Sequence, residues 1–354
     1  MKDVAINIGN RLVGAGHPAY IIAEMSGNHA HDFERAVRIM EAAKNAGADA
    51  IKLQTYTPDT MTIDSAEPWF RISGTAWNGR SLFELYGEAC TPWEWQPRLR
   101  DAAVQIGLGF LSTPFDSTAV DFLESLKVPA HKIASFEIVD LPLLRRVAQT
   151  GKPILLSTGM ATLAEIDEAV TTIRAAGGEQ LALLKCTSAY PALPDGLNLS
   201  TIPNLAEAFS LPVGLSDHSL ELAVPVAAVV LGACIIEKHL TLSRADGGPD
   251  SDFSLEPDEF GEMVHAVRVA EKSLGGVHYG VSEREADSRV FRRSLFVVRD
   301  VRAGEPLTSD NVRVIRPGYG LHSRHLKEVL GRRVARDVAR GTPLSWELVG
   351  GEAS

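Results

Sequence analysis

Cysteine, positive charge and long apolar runs are all in short supply. The three cysteines in 354 residues, Cys90, Cys186 and Cys234, are odd in number, far apart and without C-x-x-C spacing. Neither a disulfide framework nor a zinc knuckle is expected, and a reducing cytoplasm is the compartment they suit. No stretch reaches the roughly 18 apolar residues of a membrane span. The opening "MKDVAINIGN" also lacks a basic segment followed by an apolar run and a small-residue cleavage site. Neither export nor membrane insertion is expected. Lys and Arg total 35 against 45 Asp and Glu, a formal charge of -10. That balance argues against nucleic acid or an anionic membrane as the main partner while leaving room for a local basic pocket. A G-x-G-x-x-G turn after the first strand-like run is missing too: "GNRLVGAG" has glycines at the wrong spacing and no helix behind it. An open, dinucleotide-binding sheet is weakened accordingly.

What is present is a globular composition, 45% hydrophobic and 23% charged, with glycine and proline spread along the chain. At this length roughly three quarters of the unfolded chain's surface can be buried without disulfide help. Eight short β-rich apolar runs recur: "AYIIAEMSGN", "ADAIKLQTYT", "GFLSTPFD", "HKIASFEIVD", "PILLSTGMA", "LALLKCTSAY", "LPVGLSDHS" and "CIIEKHLTL". Most intervals between them carry a helical apolar period, as in "DFERAVRIMEAAKNAG"; the one before "LPVGLSDHS" is the least helical. Thr162 and Glu165 are spaced like a capping box. Strands buried on both faces and alternating with helices predict an α/β protein, a (β/α)8 TIM barrel.

Two intervals depart from that rhythm. From Thr57 to Cys90 the chain is rich in turn formers, Trp and small residues, too long for an ordinary strand-to-helix connection, and reads as an ordered lid over the barrel top. After Gly275 the polar "GGVHYGVSEREADSR" reads as a linker, and the short β-type runs "SLFVVRDV", "NVRVIRPG" and "RRVARDVARGTPL" as a separate small module. The expected division is a catalytic barrel over 1–276, a linker over 277–290 and a β-rich domain over 291–354.

Barrel enzymes gather their chemistry at the carboxyl ends of the strands, and here every run turns polar at that end. The candidates are Glu24; Lys52 and Gln54; Thr113; Lys132, Ser135 and Glu137; Ser157; Thr187, Ser188 and Tyr190; Ser216 and His218; Glu237 and His239. Period-two alternation puts Lys52 with Gln54, Ser216 with His218, and Glu237 with His239 on common faces. One strand-end lysine is as readily a side chain snorkelling at the rim. Two lysines among several hydroxyls instead form a site for a phosphorylated or carboxylated small molecule. His218 and His239 end neighbouring runs and are placed to share a divalent metal, with Glu24, Asp217, Glu237 or Asp250 and water completing the shell. His29 and His31 precede a helix start and suit loop or capping roles. Cys186 has no named base beside it and reads as packing.

At these residues the sequence resembles the sialic acid synthase family, the phosphoenolpyruvate-dependent nonulosonate synthases. The matching motifs are "AEMSGNH", "IKLQTY", "STPFD", "KIASFEI", "LSTGMA", "CTSAYP", "GLSDHS", "EKHLT", "GGPDSDFSLEP" and "RPGYG". The tail resembles the antifreeze-like (SAF) domain that closes such enzymes. The resemblance implies that Lys52, Thr113, Lys132, Ser135, Ser157 and Ser216 hold phosphoenolpyruvate. His218 and His239 would ligate the metal, and Glu24, Gln54, Tyr190 and Asp250 would face the acceptor, an N-acetylated amino sugar. Glu137 and Ser188 complete the expected substrate contacts. Arg316 would reach from the small module into the barrel of a second subunit, in a domain-swapped homodimer. Family analogy implies Mn2+, with Mg2+ or Co2+ as alternatives. Ser188 departs from the Asn common in "CTNxYP", compatible with a different sugar. The stretches "SLFELYGEACTPWEW" and "RPGYGL" are most similar to the branch acting on a 2,4-diacetamido-2,4,6-trideoxy-L-altrose, the N-acetylneuraminate and legionaminate branches being the alternatives.

The implied reaction is a metal-assisted aldol-like condensation in which Lys52 and Lys132 stabilise the anionic groups and Glu24 or Glu237 handles protons. A Schiff-base aldolase using Lys132 or Lys185, and a non-catalytic carbohydrate-binding protein, are the readings from other classes.

Overall fold

The computed structural model describes residues 4–74 and 77–352. The chain forms two compact units, Met1–Gly275 and Gly276–Ser354.

The first unit opens with an antiparallel hairpin, β1 (Ala5–Ile8) and β2 (Arg11–Gly14). Eight parallel strands follow: β3 (Tyr20–Glu24), β4 (Ala50–Thr55), β5 (Gly109–Pro114), β6 (His131–Ile133), β7 (Ile154–Ser157), β8 (Leu181–Cys186), β9 (Val213–Asp217) and β10 (Ile235–His239). They pair in sequence order, and β10 closes on β3 to make a barrel. Each strand corresponds to one of the eight apolar runs. The helices between them are α1 (Phe33–Asn45), α2 (Pro58–Met61), α3 (Leu82–Ala89), α4 (Gln96–Gln105), α5 (Ser117–Ser125), α6 (Leu141–Ala148), α7 (Leu163–Ala175), α8 (Thr201–Phe209), α9 (Ala223–Val230) and α10 (Pro257–Leu274).

Period-two alternation divides most of the strands between two cores. One set, including Ile21, Ile51, Leu53, Ile133, Leu156, Leu183 and Ile236, faces outward and is covered by helix residues such as Ile39, Leu99, Leu144 and Val170. The other set, Ile22, Ala50, Leu111, Leu155, Ala182, Leu184 and Ile235, fills the lower lumen, and Ile6, Ile8 and Val13 of the hairpin pack into the same cluster. Two residues further along each of these strands, the lumen positions become Glu24, Lys52, Thr113, Ser157, Cys186 and Glu237. An apolar plug thus lifts a polar layer to the upper end of the barrel.

Helix termini follow their capping chemistry. Asp32 accepts the Arg35 amide at the start of α1, and Thr162 and Glu165 form the capping box their spacing predicts. The interval read as least helical nonetheless holds α8. Its apolar Ile202, Leu205 and Phe209 share one face, and Pro203 sits in the first turn, where its missing N–H costs nothing. The segment expected to be a lid contains α3, whose Ser81–Glu84 capping box marks a helix that the surrounding turn formers concealed. Residues 75 and 76 of that segment lie outside the described residues.

The second unit pairs β11 (Ser294–Val297) with β12 (Val312–Ile315), and β13 (Arg332–Val334) with β14 (Val349–Glu352), both antiparallel, with a short helix α11 (Leu326–Val329) between the pairs. Leu295, Val297, Val312, Val334 and Leu344 form its core. The segment read as linker carries a 3-10 helix, Glu283–Phe291, begun by a Ser282–Glu285 capping box. No helix of the described residues is long and apolar enough to cross a membrane.

Candidate active site

The polar ends of the strands converge on one cavity of about 380 Å³ in the barrel. Its floor is a charge network. The Lys52 ammonium lies 2.8 Å from a Glu24 oxygen and 3.6 Å from Glu237, and donates to the Thr113 hydroxyl at 3.2 Å. Lys132 lies 3.4 Å from Glu237 and donates to the Ser157 hydroxyl at 2.8 Å. Ser216 donates to the same Glu237 oxygen at 3.0 Å. Parallel register pairs Glu24 with Lys52 and Ser216 with Glu237, and alternation turns these side chains into the lumen.

Burial and pairing set the charge states. Burial alone would lower the Lys52 ammonium, but Glu237 and Glu24 outweigh it and hold the group above its usual range. Lys132 is pushed down by burial, which Glu237 only partly offsets. Burial acts against the Glu237 carboxylate as well, yet the two lysines keep it below the ordinary range and therefore ionised. Glu24 goes the other way: burial raises it, and Lys52 does not cancel that. Two carboxyls on one floor are thus driven apart, the pattern that separates a proton carrier from a fixed charge.

Glu137 sits in the 3-10 turn after β6 and lines the cavity. Its Oε2 is buried without a hydrogen-bond partner, and burial raises its carboxyl to about 7. The sequence pattern offered it only as a substrate contact; a carboxyl poised near neutrality is also suited to proton transfer. The signal was its position five residues beyond Lys132, past the strand and therefore outside the alternation rule.

His218 and His239 come together at the mouth, ring centroids 5.4 Å apart. The Thr187 carbonyl can only accept, so His218 Nδ1 donates to it at 3.0 Å, which leaves Nε2 as the nitrogen that the neutral ring would offer to an ion. His239 Nδ1 is buried without a partner, and burial followed by the charges of His218 and the nearby lysines holds this imidazole well below its usual range, in the neutral ligating form. No cluster of three or more His, Cys, Asp or Glu shaped for a metal exists among the described residues. Two imidazoles with free nitrogens fit an open, mostly water- or substrate-ligated ion rather than a closed structural site. Asp217, expected as a possible third ligand, does not take part. Its parity on β9 turns it to the outer face, where it is paired with Lys238 at 2.5 Å.

On the acceptor side, Gln54 donates to Glu24 at 3.1 Å and to Ser26 at 3.0 Å, and the Ser26 hydroxyl donates to Asp250. Burial raises the Asp250 carboxyl, which the Ser26 hydroxyl and the Gly27 amide only partly offset. The Tyr190 ring packs at a tilt on His218, centroids 4.5 Å apart, and Phe253 packs against both Tyr190 and His239 at 5.0 Å. Trp77, from the expected lid, lies 5.5 Å from Tyr190, donates its indole N–H to the Pro249 carbonyl at 2.8 Å and lines the cavity.

The remaining expectations divide. Ser135 lines the cavity and its Oγ accepts the Gly159 amide at 3.1 Å. Ser188 packs so tightly over Gly159 that a Cβ there would fall 2.3 Å from its hydroxyl. Thr113 reaches the network through Lys52. Lys185 is turned to the other face of β8, donating to the Cys186 carbonyl at 2.7 Å, which leaves Lys132 as the lysine that a covalent mechanism could use. Cys186 is not mere packing: it lines the cavity with its sulfur 3.9 Å from His218 Nδ1, at the end of the neighbouring strand. His29 is buried in its loop, hydrogen-bonded to Thr91 at 3.0 Å. Arg316 is exposed in the second unit.

Comparison with known proteins agrees with this fold. The NeuB family model matches residues 39–279 and the SAF domain model residues 292–350. The pseudaminic acid synthase of Helicobacter pylori is 43% identical over 93% of this chain and 97% of its own length. The crystal structure of spore coat polysaccharide biosynthesis protein SpsE from Bacillus subtilis is 36% identical, covers 99% of this chain and 100% of its own, and superposes with a TM-score of 0.67. That of N-acetylneuraminic acid synthetase from Leptospira borgpetersenii is 32% identical, covers 80% and 94%, and gives 0.72. With its barrel, its strand-end motifs and its C-terminal SAF domain, the chain belongs to the NeuB family, the sialic acid synthases whose motifs it carries.

Proposed function

We propose that the protein is a pseudaminic acid synthase, joining phosphoenolpyruvate to 2,4-diacetamido-2,4,6-trideoxy-β-L-altropyranose with release of phosphate, in carbohydrate biosynthesis. The observation that carries the reaction is the meeting of Lys52, Lys132, His218 and His239 around one cavity. The choice of sugar rests on the 43% identity to the Helicobacter pylori enzyme.

In this reading Lys52 and Lys132, with Thr113, Ser135, Ser157 and Ser216, neutralise and orient the phosphate and carboxylate of phosphoenolpyruvate. Gln54, Asp250 and Tyr190 orient the open-chain sugar. A divalent ion held by His218 and His239, Mn2+ with Mg2+ and Co2+ as alternatives, would supply Lewis-acid polarisation of the acceptor carbonyl. C3 of phosphoenolpyruvate forms the new bond to the carbonyl carbon, and Glu24, raised by burial, gives its proton to the resulting alkoxide. Glu137 takes a proton from the water that adds at C2, and the tetrahedral centre expels phosphate by C–O cleavage. Glu237 stays ionised between the lysines and keeps them charged and in place.

A cytoplasmic homodimer completes the proposal, with Arg316 acting at the barrel mouth of the second subunit. Three free cysteines suit a reducing compartment. The second unit carries 14 Lys and Arg against 10 Asp and Glu in a chain of net charge -10, so its sign opposes that of the barrel, which favours their association.

The test is to supply phosphoenolpyruvate, Mn2+ and a panel of N-acetylated hexoses and to read product mass and phosphate. Turnover confined to the trideoxy altrose supports the proposal; preference for N-acetylmannosamine or the legionaminate precursor transfers the assignment to those synthases. Borohydride trapping of a substrate on Lys132, with turnover surviving a chelator, would favour a Schiff-base aldolase. No phosphate release with any sugar would leave only a carbohydrate-binding role.

A further inference from the structure

The outward faces of β9 and β10 are apolar, with Val213, Leu215 and Ile236 in the helix-covered core. At their upper ends this face carries two charges, Asp217 and Lys238, which are register partners on the adjacent strands. Their side chains are fully buried and their separation is 2.5 Å. All three ammonium donors of Lys238 are engaged: with Asp217, with the Ser219 carbonyl, and with the Ser219 hydroxyl at 3.4 Å. The other Asp217 oxygen accepts the Ser219 amide at 2.9 Å. Lys238 therefore grips the chain on both sides of His218, while His239 is its own covalent neighbour.

A dry ion pair of this kind is a poor source of stability, because well-packed apolar side chains of similar volume commonly serve as well or better. What it supplies here is geometry. Sliding β9 against β10, or rotating the turn at 217–219, breaks the pair, and the same movements would change the separation of the two imidazoles. We propose that Asp217 and Lys238 are positioning residues: they clamp His218 and His239 from behind so that the two rings can share one divalent ion. This rests on the assignment of those histidines as the ion's ligands. Neither Asp217 nor Lys238 lines the cavity, so neither touches substrate.

The test is the full-length double variant Asp217→Leu/Lys238→Met, which replaces the pair by apolar side chains of similar volume. The expected protein is folded, with a melting temperature within a few degrees of wild type. Its Mn2+ dissociation constant, read from free-ion electron paramagnetic resonance without turnover, rises roughly 10–100-fold, as for other supports of metal ligands. kcat falls comparably, while KM for phosphoenolpyruvate changes by less than about threefold, since of its proposed contacts only Ser216 stands on β9 and Lys52, Thr113, Lys132, Ser135 and Ser157 stand on or after other strands. A variant that fails to fold, or melts far below wild type, makes the pair a stability element and overturns the proposal. So does a folded variant with wild-type Mn2+ affinity and kcat. If the wild-type protein itself takes up no Mn2+, the ligand assignment fails instead. The clamp is then decided by the crystal structure of the double variant, in which the 5.4 Å ring separation must change by about 1 Å or more, the scale on which misplacement costs catalysis.

Discussion

The Lys132 ammonium and the Glu237 carboxylate meet at 3.4 Å across the lumen, from strands β6 and β10 that stand opposite each other in the eight-stranded ring. This contact ties the two halves of the cavity floor together. It also tunes both groups, drawing the carboxylate down while partly restoring an ammonium that burial depresses.

Replacing Lys132 by Met removes one cation and its two hydrogen bonds, to Ser157 and to the Ile133 carbonyl, but leaves Glu237 with Lys52 and Ser216. Stability falls by about 3 kcal/mol or less, under the full cost of an abandoned buried charge. kcat/KM for phosphoenolpyruvate falls roughly 10²–10³-fold, as for loss of a charge-stabilising donor. Steady-state kinetics with urea denaturation check both, and a variant within tenfold of wild type contradicts the role.

Glu137 gives the pH dependence. Its carboxyl is raised to about 7 by burial, so the native state holds this proton more tightly than the unfolded chain does. The stability it contributes is full below the ordinary glutamate range and is lost as pH rises through about 7. Catalysis runs the other way, because the ionised form is the base: kcat/KM climbs through the same interval. Glu137→Gln should abolish that limb and flatten the matching decline in stability. An unchanged limb in the variant assigns the titration to another group.

Trp77 should act on the sugar alone. Its ring packs on Tyr190 and its indole N–H is spent on Pro249, placing an apolar wall at the acceptor end of the cavity. Trp77→Ala is expected to raise the acceptor KM at least about fivefold, consistent with 1 kcal/mol or more of lost aromatic contact. KM for phosphoenolpyruvate should stay within twofold. Equal shifts in both would mean that the substitution loosens the whole mouth.

The barrel could be read from the sequence because its strands are apolar on both faces and end in polar residues at a constant offset, so that Lys52, Ser157, Ser216 and Glu237 fell on one layer. The histidine pair followed from the same parity. Asp217 was misjudged as a ligand by proximity in sequence: one residue of offset puts it on the opposite face, where Lys238 awaits it. Contacts between segments distant in sequence, such as Trp77 with Tyr190, leave no periodic trace. Helix α3 was hidden by the turn formers preceding its cap, and Glu137 was visible as a substrate contact while its isolation from any hydrogen-bond partner was not.

Phosphate release by metal-stripped protein, titrated with Mn2+ in the presence of both substrates, addresses the central claim directly. The account predicts negligible release without the ion, full recovery on its return, and no recovery in folded His218→Ala or His239→Ala. Wild-type turnover in either variant, or in the stripped protein, would contradict it.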